Sequence, residues 1–286
     1  MSVPPFLKPP EGVVAATVDT SRGAFAALRA GPVDGPVALL VPGFTGSKED
    51  FIAVVGPIGD AGFAAVAVDL AGQLDSPPAA DGTYSLAGFA ADVLALAAAT
   101  DGRPVHLVGH SFGGLVAREA VLADPLAFAS LTLVASGPDR LPAGQADRLG
   151  LFAQVLAEHG LEVVWAAKQA LEEQEGVAVP SDPEIARFLT RRFLASDPGS
   201  LLAMVDGLRS APNRVAELAA VAPWSHVVVG DQDDVWPPEA QREMAIGLGA
   251  HLTELGGIGH SPATEAPDAT AAALVAFWTD VGRAAQ

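Results

Sequence analysis

Two short stretches of alternating apolar and polar residues open the chain. VVAATVDT (13–20) and GAFAALRA (23–30), split only by Ser21-Arg22, predict an N-terminal β-hairpin. Beyond them the alternation gives way to largely apolar runs: PVALLVPG (36–43), FAAVAVDL (63–70), VHLVGH (105–110), FASLTLVASG (128–137), SHVVVG (225–230) and HLTELGG (251–257). Amphipathic segments predict helices over about 48–61, 85–99, 112–123, 238–248 and 266–282. Strands apolar on both faces, alternating with such helices, belong to a parallel sheet covered on both sides. The predicted class is α/β, a mostly parallel sheet of about eight strands with helices on both faces.

From 138 to 222 the strand pattern stops. ADRLGLFAQVLAEHG, LEVVWAAKQALEEQE, PEIARFLTRRFLA and SLLAMVDGLRS predict helices, broken at Gly160, Gly176, Pro180 and Pro198. A helical block between two sheet strands is an insertion after the sixth strand. It is expected to cap the carboxyl ends of the strands, where open α/β sheets bind ligands. The expected organisation is a core of 1–137 and 223–286 with a helical lid of 138–222.

Composition narrows the partners. The chain has 286 residues, half of them hydrophobic, enough for a large core. Its formal net charge of −18 argues against nucleic acid or an anionic membrane, which need a cationic face. Without cysteine there are no disulfides or thiolate metal sites. No apolar run reaches the length of a signal peptide or a membrane span, so a soluble, cytoplasmic protein is expected. Nothing in the sequence speaks to oligomeric state.

The chemistry gathers around VHLVGHSFGGLVARE. Gly109-His110-Ser111-Phe112-Gly113 fits G-x-S-x-G between a predicted strand and a predicted helix, the context that motif requires. Such a turn strains the serine backbone and exposes its hydroxyl at a helix start, where N–H groups favour negative charge. A serine needs a base, and the base an orienting carboxylate. Of six histidines, His260 lies in a glycine-rich loop after the last predicted strand, at the right sheet edge. His110 is beside the serine but diverges from it and reads as a supporting residue. His106, His159, His226 and His251 fall within strands or at element ends, where a structural role is the better reading. VVVGDQDDVWPP offers Asp231, Asp233 and Asp234 as the carboxylate, giving the chain order Ser, Asp, His. One oxyanion donor would be the Phe112 N–H, the other an N–H from the loop after the third strand.

Together GHSFGG, GDQDDVWPP, GHSPATEAP, VPGFTGS and DLAGQLDSP resemble the α/β-hydrolase superfamily, in its capped, esterase-like branch. The resemblance spans nearly the whole chain and is weakest over 138–222. It implies Asp233 as the acid, three positions after Gly230, with Asp231 and Asp234 as loop residues. A rarer arrangement in that family would use Asp139. In VPGFTGS the resemblance implies Phe44 N–H as the second oxyanion donor, although Pro42 stands where the commoner pattern has histidine. DLAGQLDSP occupies the family's Asp-x-x-Gly-His-Gly-x-Ser loop, with Asp69 as a structural tie.

The expected function is a serine hydrolase acting on a small to medium, mainly apolar carboxylic ester through an acyl-enzyme, needing no metal or organic cofactor. The same residues support a lactonase, a thioesterase, a cofactor-free perhydrolase of haloperoxidase type or a C–C bond hydrolase, and a capped pocket could serve a non-catalytic small-ligand receptor. Trp236 and Trp165 are candidate pocket residues, with burial in the core as the plainer alternative for each.

Overall fold

The computed structural model describes residues 1–80, 82–176, 180–222 and 224–284. The expected core boundary at 223 and the terminal positions 285–286 lie outside them. The eight strands are β1 (Val14–Thr20), β2 (Gly23–Ala30), β3 (Val37–Val41), β4 (Ala64–Val68), β5 (Val105–His110), β6 (Ser130–Val134), β7 (Trp224–Gly230) and β8 (His251–Leu255). They form one sheet in the order β1-β2-β4-β3-β5-β6-β7-β8. β1 and β2 form the expected hairpin, Thr20 opposite Gly23, and β2 also meets β4 antiparallel. The remaining pairings are parallel.

Burial on both faces explains why the central strands read as continuous apolar runs. Along β3, Val37, Leu39 and Val41 join one apolar cluster while Ala38 and Leu40 join the other. β4 divides likewise, Ala64, Val66 and Val68 against Ala65 and Ala67. One face is covered by α1 (Ile52–Asp60) and, after the single-turn α10 (Pro262–Glu265), by α11 (Pro267–Ala284), through Ile52, Ile58, Leu274 and Trp278. The other is covered by α2 (Leu86–Ala98), α3 (Phe112–Ala123) and α9 (Pro238–Leu248). The predicted helix over 48–61 is split: Lys48–Phe51 is a tight 3₁₀ turn and α1 follows it.

Between β6 and β7 lie α4 (Ala143–His159), α5 (Leu161–Glu175), α6 (Pro183–Leu194), α7 (Pro198–Ser210) and α8 (Val215–Val221). Proline position differs from the sequence reading. Pro198 opens α7 rather than breaking the chain, because Asp197 caps the helix and proline at the first turn loses only a donor that would be unpaired anyway. Asp182-Pro183 starts α6 in the same way. At seven residues, α8 is too short to show a helical period, and the sequence did not reveal it.

The block is tied to the core by apolar contact and buried polar bonds. Trp165, Phe188, Phe193, Met204 and Leu208 continue the cluster formed by α2 and α3. Ser200 Oγ donates to the Ala71 carbonyl at 2.8 Å, and Asp197 N–H donates to the Gly72 carbonyl at 2.8 Å. Arg192 on α6 is buried and pairs with buried Asp50 at 2.6 Å, while its other terminal nitrogen donates to the Ser2 carbonyl at 2.7 Å. Among the described residues no helix is long and apolar enough to cross a membrane.

Removing one member of a buried pair leaves the other charge uncompensated, which typically costs about 3–5 kcal/mol. Arg192→Leu is therefore expected to lower the urea-unfolding free energy by about 3 kcal/mol, and adding Asp50→Leu should recover part of the loss. Additive losses in the double variant would show that the two charges are not coupled.

Candidate active site

The site forms at the carboxyl ends of the central strands. β5 ends at His110 and α3 begins at Phe112, so the chain reverses direction at Ser111, whose φ of 55° and ψ of −120° are unusual for any residue with a side chain. The glycines permit this by close approach. A Cβ on Gly109 would collide with the Gly113 carbonyl, and one on Gly113 would lie 2.5 Å from the Pro42 carbonyl. The turn is pinned by Ser111 N–H donating to the Val134 carbonyl at 2.9 Å and by Ser136 Oγ donating to the Ser111 carbonyl at 2.9 Å.

The structure brings together the three side chains expected from distant parts of the chain. His260 Nε2 is 2.9 Å from Ser111 Oγ, and His260 Nδ1 is 2.9 Å from Asp233 Oδ1. A carboxylate only accepts, so Nδ1 carries the proton given to Asp233, and in the neutral tautomer this leaves Nε2 as the acceptor facing the serine hydroxyl. Asp233 sits three residues beyond β7, buried, and also accepts from Val235 N–H at 2.8 Å and from Gln241 Nε2 at 2.8 Å. Burial disfavours its charge, but the hydrogen bond and charge of His260, with the Val235 and Gln241 donors, outweigh that and hold its pKa below the usual carboxylate range.

The other acids have different partners. Asp231 Oδ1 accepts from Gly257 N–H at 2.6 Å, tying two loops. The Asp234 carbonyl accepts from Gln145 Nε2 at 2.9 Å. Asp139 accepts from Asn213 at 3.5 Å. His106 bonds Ser130 and His226 bonds Thr253; burial pushes their pKa values down to about 4 and about 3.

Glu265 and Gln241, which the sequence reading did not single out, and His110, which it read as a supporting residue, hold the imidazole in place. Glu265 accepts from Gly259 N–H at 2.6 Å and from Ser261 N–H at 2.8 Å, clamping the amides either side of His260. His110 Nε2 donates to the His260 carbonyl at 2.8 Å; burial and the neighbouring His260 push its pKa down to about 3, so it stays a neutral donor. Gln241 lies on α9, eight positions from Asp233. The partner of His110 comes from a distant segment, whereas those of Gln241 and Glu265 lie within eight positions and are brought into reach only by the folded loops. GHSPATE does contain Glu265, but only the folded loop shows both amides pointing at it.

Phe112 is the first residue of α3, where backbone N–H groups have no helical partner. Phe44 lies in the turn after β3, whose Gly43 abuts the serine: a Cβ there would be 3.0 Å from Ser111 Cβ. Both aromatic rings of the turn region are ordered by packing, Phe44 edge-on to Phe152 at 5.2 Å and Phe112 edge-on to Phe89 at 5.7 Å.

Ser111 and His260 open into a cavity of about 270 Å³ lined mainly by Phe44, Phe152, Phe193, Leu141, Leu208 and Val235. Asp50 and Lys168 also lie on its wall. Trp236 and Trp165, expected as pocket residues, do not line it. Trp236 is 1% exposed, packed on Gly137 with its ring centroid 6.3 Å from that of His260, so it supports the imidazole from within the core. Trp165 stacks on Phe193 at 5.3 Å, and it is Phe193 that reaches the cavity.

A mostly parallel eight-stranded sheet with a strained serine turn after β5 and an acid and a histidine in the loops after β7 and β8 defines the class as an α/β hydrolase. The chain belongs to the alpha/beta hydrolase family, whose model matches residues 38–273, and it is a hydrolase. A protein of Variovorax paradoxus (strain S110) that carries the provisional name carbamate hydrolase RutD is 32% identical over 208 residues, covering 68% of this chain and 78% of the relative. A hydrolase of Pseudomonas aeruginosa PA01 superposes with a TM-score of 0.74 at 24% identity, over 92% of this chain and 98% of that one. A thermophilic esterase from Thermogutta terrifontis gives 0.75 at 21% identity, over 94% and 99%. The enol-lactonase from Burkholderia xenovorans LB400 gives 0.76 at 17% identity, over 92% and 100%. At these identities the structures show a shared fold.

Because the folded-state pKa of Asp233 is depressed, its carboxylate contributes stability that is present above the usual carboxylate pKa of about 4 and disappears as pH falls through the lower folded value. Asp233→Asn is expected to be less stable than the parent at pH 7, with the difference closing toward pH 3. Gln241→Leu, lacking one donor, should lose that contribution at a higher pH than the parent does. Urea unfolding from pH 3 to pH 8 measures both, and a pH-independent Asp233→Asn difference would contradict the assignment.

Proposed function

We propose that the protein is a serine hydrolase of small to medium, mainly apolar carboxylic esters, with Ser111 as nucleophile, His260 as general base and acid, and Asp233 as the group that orients His260. The observation that carries this reading is the continuous chain of 2.9 Å contacts from Asp233 through His260 to Ser111 at the wall of an apolar cavity. His260 Nε2 takes the hydroxyl proton as Ser111 Oγ attacks the ester carbonyl, and the imidazolium formed is stabilised by Asp233. The N–H groups of Phe44 and Phe112 receive the developing oxyanion, each donor contributing roughly 3 kcal/mol to the barrier reduction. His260 then gives its proton to the departing alkoxide. A water deprotonated by His260 attacks the acyl-Ser111 carbonyl, releasing the acid and restoring the serine.

Residues 138–222 act as the lid in this reading. Leu141, Gln145, Leu149, Phe152, Phe193 and Leu208 from that block line the cavity opposite Ser111, and their apolar surface suits a small-molecule substrate with little charge. A second reading, hydrolysis of a carbamate by the same groups, is favoured by the name of the Variovorax relative.

4-Nitrophenyl acetate and butyrate are expected to be hydrolysed, their short acyl groups fitting within the apolar cavity beside Ser111. Ser111→Ala should abolish turnover, and Asp233→Asn should reduce kcat by about 10⁴ as the imidazole tautomer is lost. Ester release by Ser111→Ala at the parent rate would refute the nucleophile. Ammonia release from a carbamate faster than any ester turnover would favour the second reading.

A further inference from the structure

We propose that Gln73 is a positioning residue for hydrolysis: its side-chain amide sets the orientation of the Gly43–Phe44 peptide and so aims the Phe44 N–H at the substrate oxyanion. The proposal rests on the reading of Ser111 as the nucleophile.

Gln73 is fully buried in the loop after β4, beneath α7, and is not among the residues lining the cavity. Its two amide ends serve two different loops. Oε1 accepts from Leu70 N–H at 2.9 Å in its own loop, and Nε2 donates to the Gly43 carbonyl at 2.9 Å, reaching across to the turn after β3. The partners fix the amide orientation. Flipping it would set an oxygen against the Gly43 carbonyl and an NH₂ against the Leu70 N–H.

Gly43 C=O and Phe44 N–H belong to one peptide unit, and in a planar trans peptide they point in opposite directions. Holding the carbonyl toward Gln73 therefore turns the Phe44 N–H away from Gln73. The other side of this turn is the serine, since Gly43 abuts Ser111 Cβ and Gly43, Phe44 and Thr45 share the cavity wall with Ser111.

The turn needs such a hold. Thr45 has a φ of 56°, a costly value for a β-branched residue, and Pro42 carries neither a backbone donor nor a polar side chain. Within the turn, Gly46 N–H donates to the same Gly43 carbonyl at 3.1 Å, so Gln73 supplies the second bond, and supplies it from a different loop. A donor preset before substrate arrives requires no reorganisation when charge develops, which is the condition for effective oxyanion stabilisation.

Three substitutions separate this role from simple packing. Gln73→Glu keeps an acceptor for Leu70 N–H but removes the donor to Gly43; Gln73→Met removes both; Gln73→His restores an N–H donor. Losing one oxyanion donor typically lowers kcat by about 10²–10³, and misaiming one should cost somewhat less. For the Glu and Met variants we expect kcat on 4-nitrophenyl butyrate to fall roughly 10- to 100-fold with KM changed by less than about twofold. Affinity for a trifluoromethyl ketone, which mimics the tetrahedral adduct, should weaken by a similar factor, and Gln73→His should regain most of the loss. Phosphonylation of Ser111 by an alkyl 4-nitrophenyl phosphonate, followed by mass spectrometry, provides a second rate. Folded variants with parental kcat and parental phosphonylation would overturn the role of Gln73 while leaving Ser111 as nucleophile. A loss expressed in KM with ketone affinity unchanged would overturn it equally. If the parent protein neither turns over nor is labelled at Ser111, the nucleophile reading falls and this one with it. Should Gln73→Glu not fold, Gln73→Met and Gln73→His decide the matter.

Discussion

Ser111 holds a left-handed backbone only because the chain around it lacks the atoms that would forbid the turn, and this steric allowance is what the rest of the site is built upon. With a Cβ on Gly113, α3 would be pushed from the Pro42 carbonyl, and with one on Gly109, β5 and the start of α3 would separate. The Val134 carbonyl and the Ser136 hydroxyl then take up the turn's backbone N–H and C=O, so little polar backbone is left to relax the strain. A residue in such a region costs on the order of 1–3 kcal/mol and persists only where its surroundings over-determine it. The same close approach sets Gly43 against the serine, so the turn at Ser111 and the turn after β3 act as one rigid piece.

His260 has no comparable backbone constraint, and it is held instead by polar partners from several elements. Glu265 fixes the amides before and after it, His110 fixes its carbonyl, and Asp233 fixes its ring. Each support is itself supported: Gln241 and the Val235 amide satisfy Asp233, and burial keeps His110 neutral. In a low-dielectric setting such a network is strong when complete and costly when one member is missing. The imidazole is thereby fixed in position and orientation without lying on a strand or helix.

The acidic composition conceals an unequal use of charge. Most of the excess carboxylates are solvated, whereas several of the few cations are buried and join loops. Arg192 links α6 to the 3₁₀ turn at Asp50, and Arg118 donates to the Pro138 carbonyl at 2.7 Å, where the chain leaves the sheet for the helical block. Lys48 reaches Asp69 at 2.9 Å and Asp75 at 2.7 Å. Burial disfavours its ammonium, but Asp69, Glu49 and Asp75 outweigh that and raise its pKa. These bonds sit where the helical block and the loops after β3 and β4 meet the core, so charge serves here to fix loop geometry.

Sequence alone marked the sheet, its strand count, the serine turn at Ser111 and the loop of His260, and narrowed the carboxylate to Asp231, Asp233 and Asp234, among which the family resemblance pointed to Asp233. Those depend on local signals: apolar runs that require burial on both faces, glycines that a sharp turn requires, and a histidine and an aspartate just past strand ends. Pro198 opens α7 two residues before the segment the sequence pattern predicts, and the seven-residue α8 carries too little pattern to predict. Tertiary structure decided everything that depends on meeting across the sequence. It placed Trp236 and Trp165 in the core rather than on the cavity, brought Gln241, Glu265, His110 and Gln73 to their partners, and set which faces of the helical block line the cavity. The bonds of His110 and Gln73 join residues tens of positions apart and leave no mark on the spacing of either partner, because they are fixed by packing of whole elements. A turn or a strand writes its steric needs into adjacent residues, and so can be read before the chain is folded.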